Sequence, residues 1–341
     1  MKNKFLWAVL LVLSMVLIAA CGDTEANESS GDQSEGKTYD LKFGHAANEK
    51  HPMHIGFTKF AELVDEKSDG RIKITIYPNR QLGDDLEMLQ NIMNGSVDLG
   101  GVSTSVTSSY TPLLESVQLP FLLNNYEIEE EALKTQEFKD ILAALETKLG
   151  ATGIGLYEGG MRHIANNEKV VQTPEDLKGI KLRVAQSDLI VDIFNTLGAS
   201  PTPMAYGEVY SALQTGVIDG EEVNLSTIYA EKHLEVLDYL TISGQFPYPA
   251  VLLINNDLYN SFSEGDKALI QEASDEAVAY LFEQIKDLDA TALAAIKEKG
   301  IQVNEIENPK AFIELLNPLY EKYEAKDPLI KDFVEKVETL K

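Results

Sequence analysis

Cysteine is almost absent: Cys21 is the only one in 341 residues. One thiol excludes a disulfide framework and a cysteine-ligated zinc cluster, and once it is used for anchoring no thiol nucleophile is left. Positive charge is scarce as well. Against 55 Asp and Glu stand 29 Lys and Arg, a formal charge of −26. So acidic a chain lacks the basic patches that nucleic-acid binding requires, and nucleic acid is not expected as a partner. An anionic ligand stays admissible only if a few arginines focus positive potential inside a cleft. The five histidines have no acids paired with them at ligand spacing, so a metalloenzyme is not indicated. No phosphate-binding loop, G-x-S-x-G elbow or H-E-x-x-H motif occurs. Gly153-Ile154-Gly155-Leu156-Tyr157-Glu158 approaches a dinucleotide fingerprint but has Glu158 where the third glycine is required. No cofactor and no catalytic centre are expected.

What is present begins with a processing signal. Lys2 and Lys4 precede an apolar run over residues 5–20, the length of a secretory h-region and short for a membrane span. It ends Ala19-Ala20-Cys21-Gly22, small residues directly before a cysteine. That pattern reads as a signal peptide over 1–20 and a bacterial lipoprotein site, with Cys21 taking a diacylglycerol. An ordinary signal, or an anchor with an incidental cysteine, is the alternative. Cleavage would remove Lys2 and Lys4 and take the formal charge from −26 to −28. Residues 21–37 are Asp, Glu, Ser, Gly and Asn with little to bury, and read as a disordered tether. The location implied is extracytoplasmic, held to the membrane by lipid at the cell surface or in the periplasm.

The remaining stretch of about 300 residues is long enough for two cores. Strand, helix and strand signals follow one another over residues 40–44, 55–67 and 71–77, a β-α-β unit that predicts parallel strands. Further helices are expected over 84–93, 127–149, 188–196, 206–215 and 263–299, with strands near 97–99, 152–157 and 180–185. Thr173-Pro174-Glu175-Asp176 reads as the start of a short helix. The fold class is α/β. Residues 89–98 and 213–219 echo each other: a helix end, a glycine, an apolar residue, then Asp98 or Asp219 entering a strand. Two lobes on one plan would produce this, although helix-Gly-strand joints are common in α/β proteins.

Arginines carry the chemistry. Alternation through Ile180-Lys181-Leu182-Arg183-Val184 puts Lys181 and Arg183 on one face, with Arg183 near a strand's carboxyl end, where open α/β sheets place ligands. A guanidinium there suits a two-bond grip on a carboxylate, and equally an inter-strand ion pair. Arg162, in Gly159-Gly160-Met161-Arg162-His163, reads as a second cationic contact at a hinge or as a surface loop. Tyr206, after Pro201-Thr202-Pro203-Met204, offers a ring and hydroxyl or is core. His45, His51 and His54 share one loop; His51 and His54 flanking a helix start and touching solvent is the plain reading, His51-x-x-His54 as half a metal site the alternative.

These residues resemble the DctP-type extracytoplasmic solute receptors of TRAP (tripartite ATP-independent periplasmic) transporters. The resemblance spans the folded part and is densest in Pro78-Asn79-Arg80-Gln81-Leu82-Gly83-Asp84-Asp85, in residues 176–184 and in residues 197–220. It implies a periplasmic-binding-protein-like flytrap, two lobes joined by crossing strands and a long helix. One lobe would hold 38–160 with about 249–288, the other 161–248 with about 289–341. It implies delivery of a small carboxylate solute to small and large membrane permease components, driven by an ion gradient. Arg183 is then the carboxylate clamp, Arg162 an assistant and Tyr206 the ring beside the solute, while Gln186 and Asp85 match cleft-lining positions. Asn224 and Ser103 complete the candidate set. The family's usual Glu-Asn-Pro is here Glu222-Val223-Asn224, which puts the role of the asparagine in doubt. Gln186-Ser187-Asp188 and Ser226-Thr227-Ile228-Tyr229 look more like C4-dicarboxylate receptors, and Arg162 with the Pro-Thr-Pro segment more like sugar-acid receptors. The expectation is a C4-dicarboxylate-like acid, with a sugar acid, and more remotely a metal held by the His45–His54 loop, as alternatives.

Overall fold

The protein is described by a computed structural model covering residues 36–341. The expected signal peptide, the lipidation of Cys21 and all but the end of the expected tether lie outside the described residues. Among the described residues no helix is long and apolar enough to cross a membrane.

The chain starts with β1 (Tyr39–His45), α1 (Pro52–Lys67) and β2 (Ile72–Tyr77), and the two strands run parallel with Tyr39 opposite Ile72. The alternation of Ile72, Lys73, Ile74 and Thr75 turns one face of β2 inward, while Phe57, Phe60, Leu63 and Val64 give α1 its buried stripe. His51 caps α1 and Pro52 occupies its first turn, a position where the missing N–H costs nothing. Next come α2 (Asp85–Met93) and β3 (Leu99–Ser103), then α3 (Tyr126–Leu133), α4 (Gln136–Leu149) and β4 (Ala151–Tyr157). The single helix expected over 127–149 is two. The Thr135 hydroxyl accepts from the N–H of Phe138 and starts a new helix, a capping signal stronger than the continuity of the apolar pattern.

The second half contains β5 (His163–Asn166), β6 (Lys181–Val184), α5 (Asp188–Thr196), β7 (Ser200–Pro203), α6 (Val209–Gln214), β8 (Gly220–Val223), α7 (Leu225–Ala230) and β9 (Tyr239–Ile242). The short helix expected after Thr173 is one 3₁₀ turn with its capping box in place, and the helix expected from 206 opens as a 3₁₀ turn before α6. The chain closes with β10 (Ala250–Asn255), α8 (Asn256–Asn260), the 35-residue α9 (Glu264–Glu298), β11 (Gln302–Glu305), α10 (Pro309–Glu324) and α11 (Pro328–Glu338).

Two sheets result, in the orders β2-β1-β3-β10-β4 and β11-β9-β5-β8-β6-β7. Each anchors one lobe of a flytrap. The chain crosses between them after β4 and again before β10, and the two crossing segments are zipped together: Arg162 N–H donates to Phe246 O at 2.8 Å and Gln245 N–H to Arg162 O at 3.0 Å. The long α9 spans both lobes, packing on α1 at one end and α7 at the other. The C-terminal helices serve both halves too, with Phe333 of α11 against Phe138 of α4 and Tyr323 of α10 donating to Asp192 of α5.

The internal echo has a common structural job. Asp98 accepts from the backbone N–H of Lys42 at 2.7 Å, and Asp219 from that of Lys181 at 2.8 Å. In each lobe the aspartate thereby ties its strand to the parallel neighbour, β1 in the first and β6 in the second.

Candidate functional site

Between the lobes lies a narrow cavity of about 40 Å³, well below the roughly 300–1,000 Å³ of a typical small-molecule site, so the lobes must part to admit an organic solute. The first lobe contributes the loop after β1 (His45, Ala46, Ala47), the start of α1 (His51, Met53, Phe57), Asp85 at the start of α2, and Gly101 and Ser103 of β3. Arg162 and Tyr248 come from the crossing segments, and Arg183, Tyr206, Asn224 and Thr227 from the second lobe. The apolar floor needs Gly101, since a Cβ there would sit 2.1 Å from the ring of Phe57.

Arg183 projects from β6 and is 5 % exposed. Its Nε and Nη2 both donate to the carbonyl of Met204, at 3.2 and 2.9 Å. This fixes one edge of the guanidinium without using its charge. Among the described residues no carboxylate stands within ion-pair distance of it. Arg162 is in the opposite situation. Its Nε bonds to a carboxylate oxygen of Glu222, its Nη2 to the Glu222 carbonyl at 2.5 Å, and its guanidinium lies 4.1 Å from the centre of the Tyr248 ring. Burial opposes the Arg162 charge, but the charge and hydrogen bond of Glu222 outweigh it, and its pKa is raised. The cleft thus holds one neutralised cation and one available one.

Asp85 accepts from the N–H of Ser103 at 3.3 Å. Burial, and then the neighbouring charge of Asp84, raise its pKa to about 6, against the opposing pull of Ser103 and Arg183. The hydroxyl of Ser103, the amide oxygen of Asn224 and Nδ1 of His45 are buried without a protein partner. Buried polar atoms left in this state are uncommon and mark places where a ligand or water completes the bonding. The other end of Asn224 is engaged, donating to Gly159 O alongside Ser226 Oγ at 2.7 Å. A side chain at Gly159 would run into Met53, the Tyr248 carbonyl and Asn224, which is why the crossing segment has glycine there.

Six of the seven candidates named from the sequence therefore line one cavity: Arg183, Arg162, Tyr206, Asp85, Asn224 and Ser103. Gln186 does not; it is partly buried beyond the end of β6, outside the cavity wall. Of the two histidines expected to touch solvent, His51 is 3 % exposed and so buried, whereas His54 is only partly buried; His45 is buried too. His51 Nδ1 accepts from Met53 N–H at 3.3 Å, so the neutral ring carries its proton on Nε2, which reaches Thr227 Oγ1 across the cleft at 3.3 Å. Burial first, and then Arg162, lower its pKa to about 3. His45 and His54 bond to each other at 3.0 Å. The three rings do not converge, and no group of three or more metal-ligating side chains occurs among the described residues. Sequence reasoning missed Thr227, Tyr248 and Glu222 as cleft residues, and read His51 only as a helix-start or metal-site histidine. It caps a helix ahead of a proline, which announces the helix but not the cleft.

A larger, more open groove between the C-terminal helices and the end of β11 is rimmed by Glu305, Glu324, Glu335 and Glu338, and its one lysine, Lys341, is paired with Glu338. That rim repels an organic anion.

Comparison with known proteins places this geometry. Residues 43–327 match the family described as bacterial extracellular solute-binding protein, family 7 (DctP). The chain is 31% identical over 287 residues to the C4-dicarboxylate-binding protein DctB of Bacillus subtilis, covering 83% of this chain and 82% of that one. The sugar acid binding protein DctPAm of Advenella mimigardefordensis, solved with galactonate, superposes with a TM-score of 0.84 at 30% identity, covering 89% of this chain and 99% of that one. A TRAP periplasmic solute-binding protein of Roseobacter denitrificans, solved with β-D-glucuronate, gives 0.82 at 28% identity, covering 87% and 98%. The chain belongs to the DctP family of TRAP solute-binding proteins, periplasmic receptors rather than an enzyme class, which bind small organic acids and work with membrane permease subunits.

Proposed function

We propose that this receptor takes a hydroxylated monocarboxylate, a sugar acid of the uronate or aldonate kind, in place of the C4-dicarboxylate expected from sequence. The observation that carries this reading is the charge balance of the cavity. Among the described residues that line the cavity, Arg183 is the one cation without a counter-ion, because Glu222 neutralises Arg162 and the three nearby histidines hydrogen-bond as neutral rings or lie apart. One carboxylate satisfies Arg183; a second would meet Asp85 and no free cation, and a desolvated unpaired charge is costly. The remaining groups suit hydroxyls: Asp85 and the Asn224 oxygen accept, and Ser103 and Tyr206 both donate and accept. Galactonate in the Advenella protein and glucuronate in the Roseobacter protein are of this chemistry, whereas the Bacillus relative is a C4-dicarboxylate binder.

The two crossing segments support lobe boundaries near residues 160 and 249. The reading is completed by anchoring through a lipid on Cys21 and hand-over to small and large permease components. Cys21→Ser is expected to release the protein from membranes, and a protein that stays membrane-bound would remove the lipid from the account.

The solute class is tested by calorimetric titration of the full chain with D-glucuronate, D-galactonate, succinate and L-malate. Binding of a sugar acid, with succinate and malate weaker by at least tenfold, is expected. Arg183→Ala is expected to cost ~2–5 kcal/mol of affinity, and Arg183→Lys to recover only part of it, since an ammonium cannot make the two-bond grip. Preference for succinate or malate would overturn the solute class, and undiminished binding by Arg183→Ala would overturn the clamp.

A further inference from the structure

We propose that Arg80 is the latch of the closed receptor, a positioning residue that sets how long any solute is held without helping to choose it. Arg80 lies in the turn between β2 and α2, outside the cavity wall. Its Nη1 donates to the carbonyl of Ala46, itself part of that wall, at 3.1 Å. Its Nη2 reaches across the mouth of the cleft to Glu231, at 3.1 Å. Between these contacts its guanidinium passes 5.2 Å from the centre of the Tyr206 ring. Beside it Asp84 accepts the N–H of Gly207 at 3.0 Å, a second bond between the lobes at the same place.

Backbone geometry singles out this arginine. Asn79 and Arg80 are consecutive residues at φ +55° and +63°, in the left-handed region where a side chain is disfavoured and glycine is at ease. The turn is pinned to the loop after β1, with Asn79 N–H on Ala47 O at 3.0 Å and Arg80 N–H on His45 O at 3.2 Å. A bulky charged residue held in such a conformation indicates that its side chain has work to do.

Opening and closing change the environment of this pair. In this structure, where the pair bridges the lobes, the side chains of Glu231 and Arg80 are 14% and 26% exposed, and Arg80 is the only ion-pair partner of Glu231 among the described residues. With Arg80 removed, closure would bury the Glu231 carboxylate uncompensated; in the open form water solvates it. The penalty therefore falls on the closed state. Glu231 caps the end of α7, and Asn224 and Thr227 of the cavity stand at the other end of that helix, so the latch acts on a rigid element that carries part of the site.

The test is stopped-flow release of two solutes, D-glucuronate and D-galactonate, from the full chain and from Arg80→Ala, Arg80→Lys and Glu231→Gln. Arg80→Ala is expected to release both about tenfold faster and by the same factor, from the loss of a part-buried ion pair and a cation–ring contact. Association should stay within about twofold, because the latch forms after encounter. Added salt should speed release from the wild type and leave Arg80→Ala unmoved. Arg80→Lys should fall between the two. Unchanged release, or acceleration of one solute only, would overturn the latch, the second by making Arg80 a direct contact. If neither solute binds the wild type, that failure belongs to the proposed solute class, and the latch is read without solute. Spin labels on Glu49→Cys and Glu208→Cys in a Cys21→Ser background report the width of the mouth; Arg80→Ala should lengthen their separation, and identical distance distributions overturn the proposal.

Discussion

Glu222 holds Arg162 twice, through its carboxylate and through its own backbone carbonyl, and gives its remaining carboxylate oxygen to the N–H of Ala185 at 2.8 Å. Ala185 stands two residues beyond Arg183. One buried acid therefore joins the crossing segment to the strand that bears the unpaired cation, and cancels the second positive charge of the cleft.

Glu222→Gln leaves Arg162 buried with no counter-charge. Breaking one side of a buried pair typically costs about 3–5 kcal/mol, and a loss of that size is expected in denaturant unfolding of the ligand-free protein. The same substitution restores a second positive charge to the cavity. The affinity ratio of succinate to D-glucuronate should therefore rise in the variant. A ratio that does not move would show that charge balance is not what sets the preference.

Two acids are raised to about 6, from the ordinary 3.8. Asp85 is raised by burial and by Asp84 beside it. Asp289, in α9, is raised by burial and then by Glu158, against the hydrogen bond from Tyr126, which itself accepts from Met161 N–H of the crossing segment. For such a group the native state keeps a proton that the unfolded chain has released, so its contribution to stability is lost as pH rises from about 4 to 6. Asp85→Asn and Asp289→Asn remove that loss. Their melting temperatures should match the wild type near pH 4 and exceed it at pH 7, by the equivalent of ~1–3 kcal/mol. Solute affinity should change with Asp85→Asn and not with Asp289→Asn. A melting offset that is flat across pH would sink the assignment.

His51 caps α1 and touches Thr227 across the cleft as a neutral ring. His51→Ala is expected to lower stability by about 0.5–2 kcal/mol, as for other lost caps, and to weaken solute binding equally at pH 5.5 and pH 8. Its pKa of about 3 makes the pH dependence of stability opposite in sign to that of the acids. Below pH 6.5 the unfolded chain takes a proton that native His51 refuses, so this share of stability falls with acid. A binding loss that grows below pH 6.5 would mean that the ring is charged in the cleft.

Much of this was legible locally. Alternation over residues 180–184 assigned Arg183 to the polar face of its strand, and the repeated helix-Gly-Asp-strand joint placed Asp98 and Asp219, which perform the same task in the two lobes. The α/β class, the long α9 and most helix starts follow from periodicity and capping, which are properties of neighbouring residues. The break at Thr135 was missed because the apolar pattern runs through it while a single hydroxyl decides it.

The chemistry of the cleft was not local. Alternation makes Arg183 available and the glycine-flanked turn makes Arg162 available; neither can say that one of them is already spent. That depends on β5 lying antiparallel to β8 with His163 opposite Val223, a pairing that sets Arg162 beside Glu222 sixty residues along the chain. The reach of His51 to Thr227 and the absence of Gln186 from the cavity depend likewise on how the lobes meet. Sequence alone determined which side chains each element presents, because that is set by backbone period. Only the tertiary structure decided which charges cancel, because cancellation requires two distant strands to come within hydrogen-bonding distance and to exclude water together.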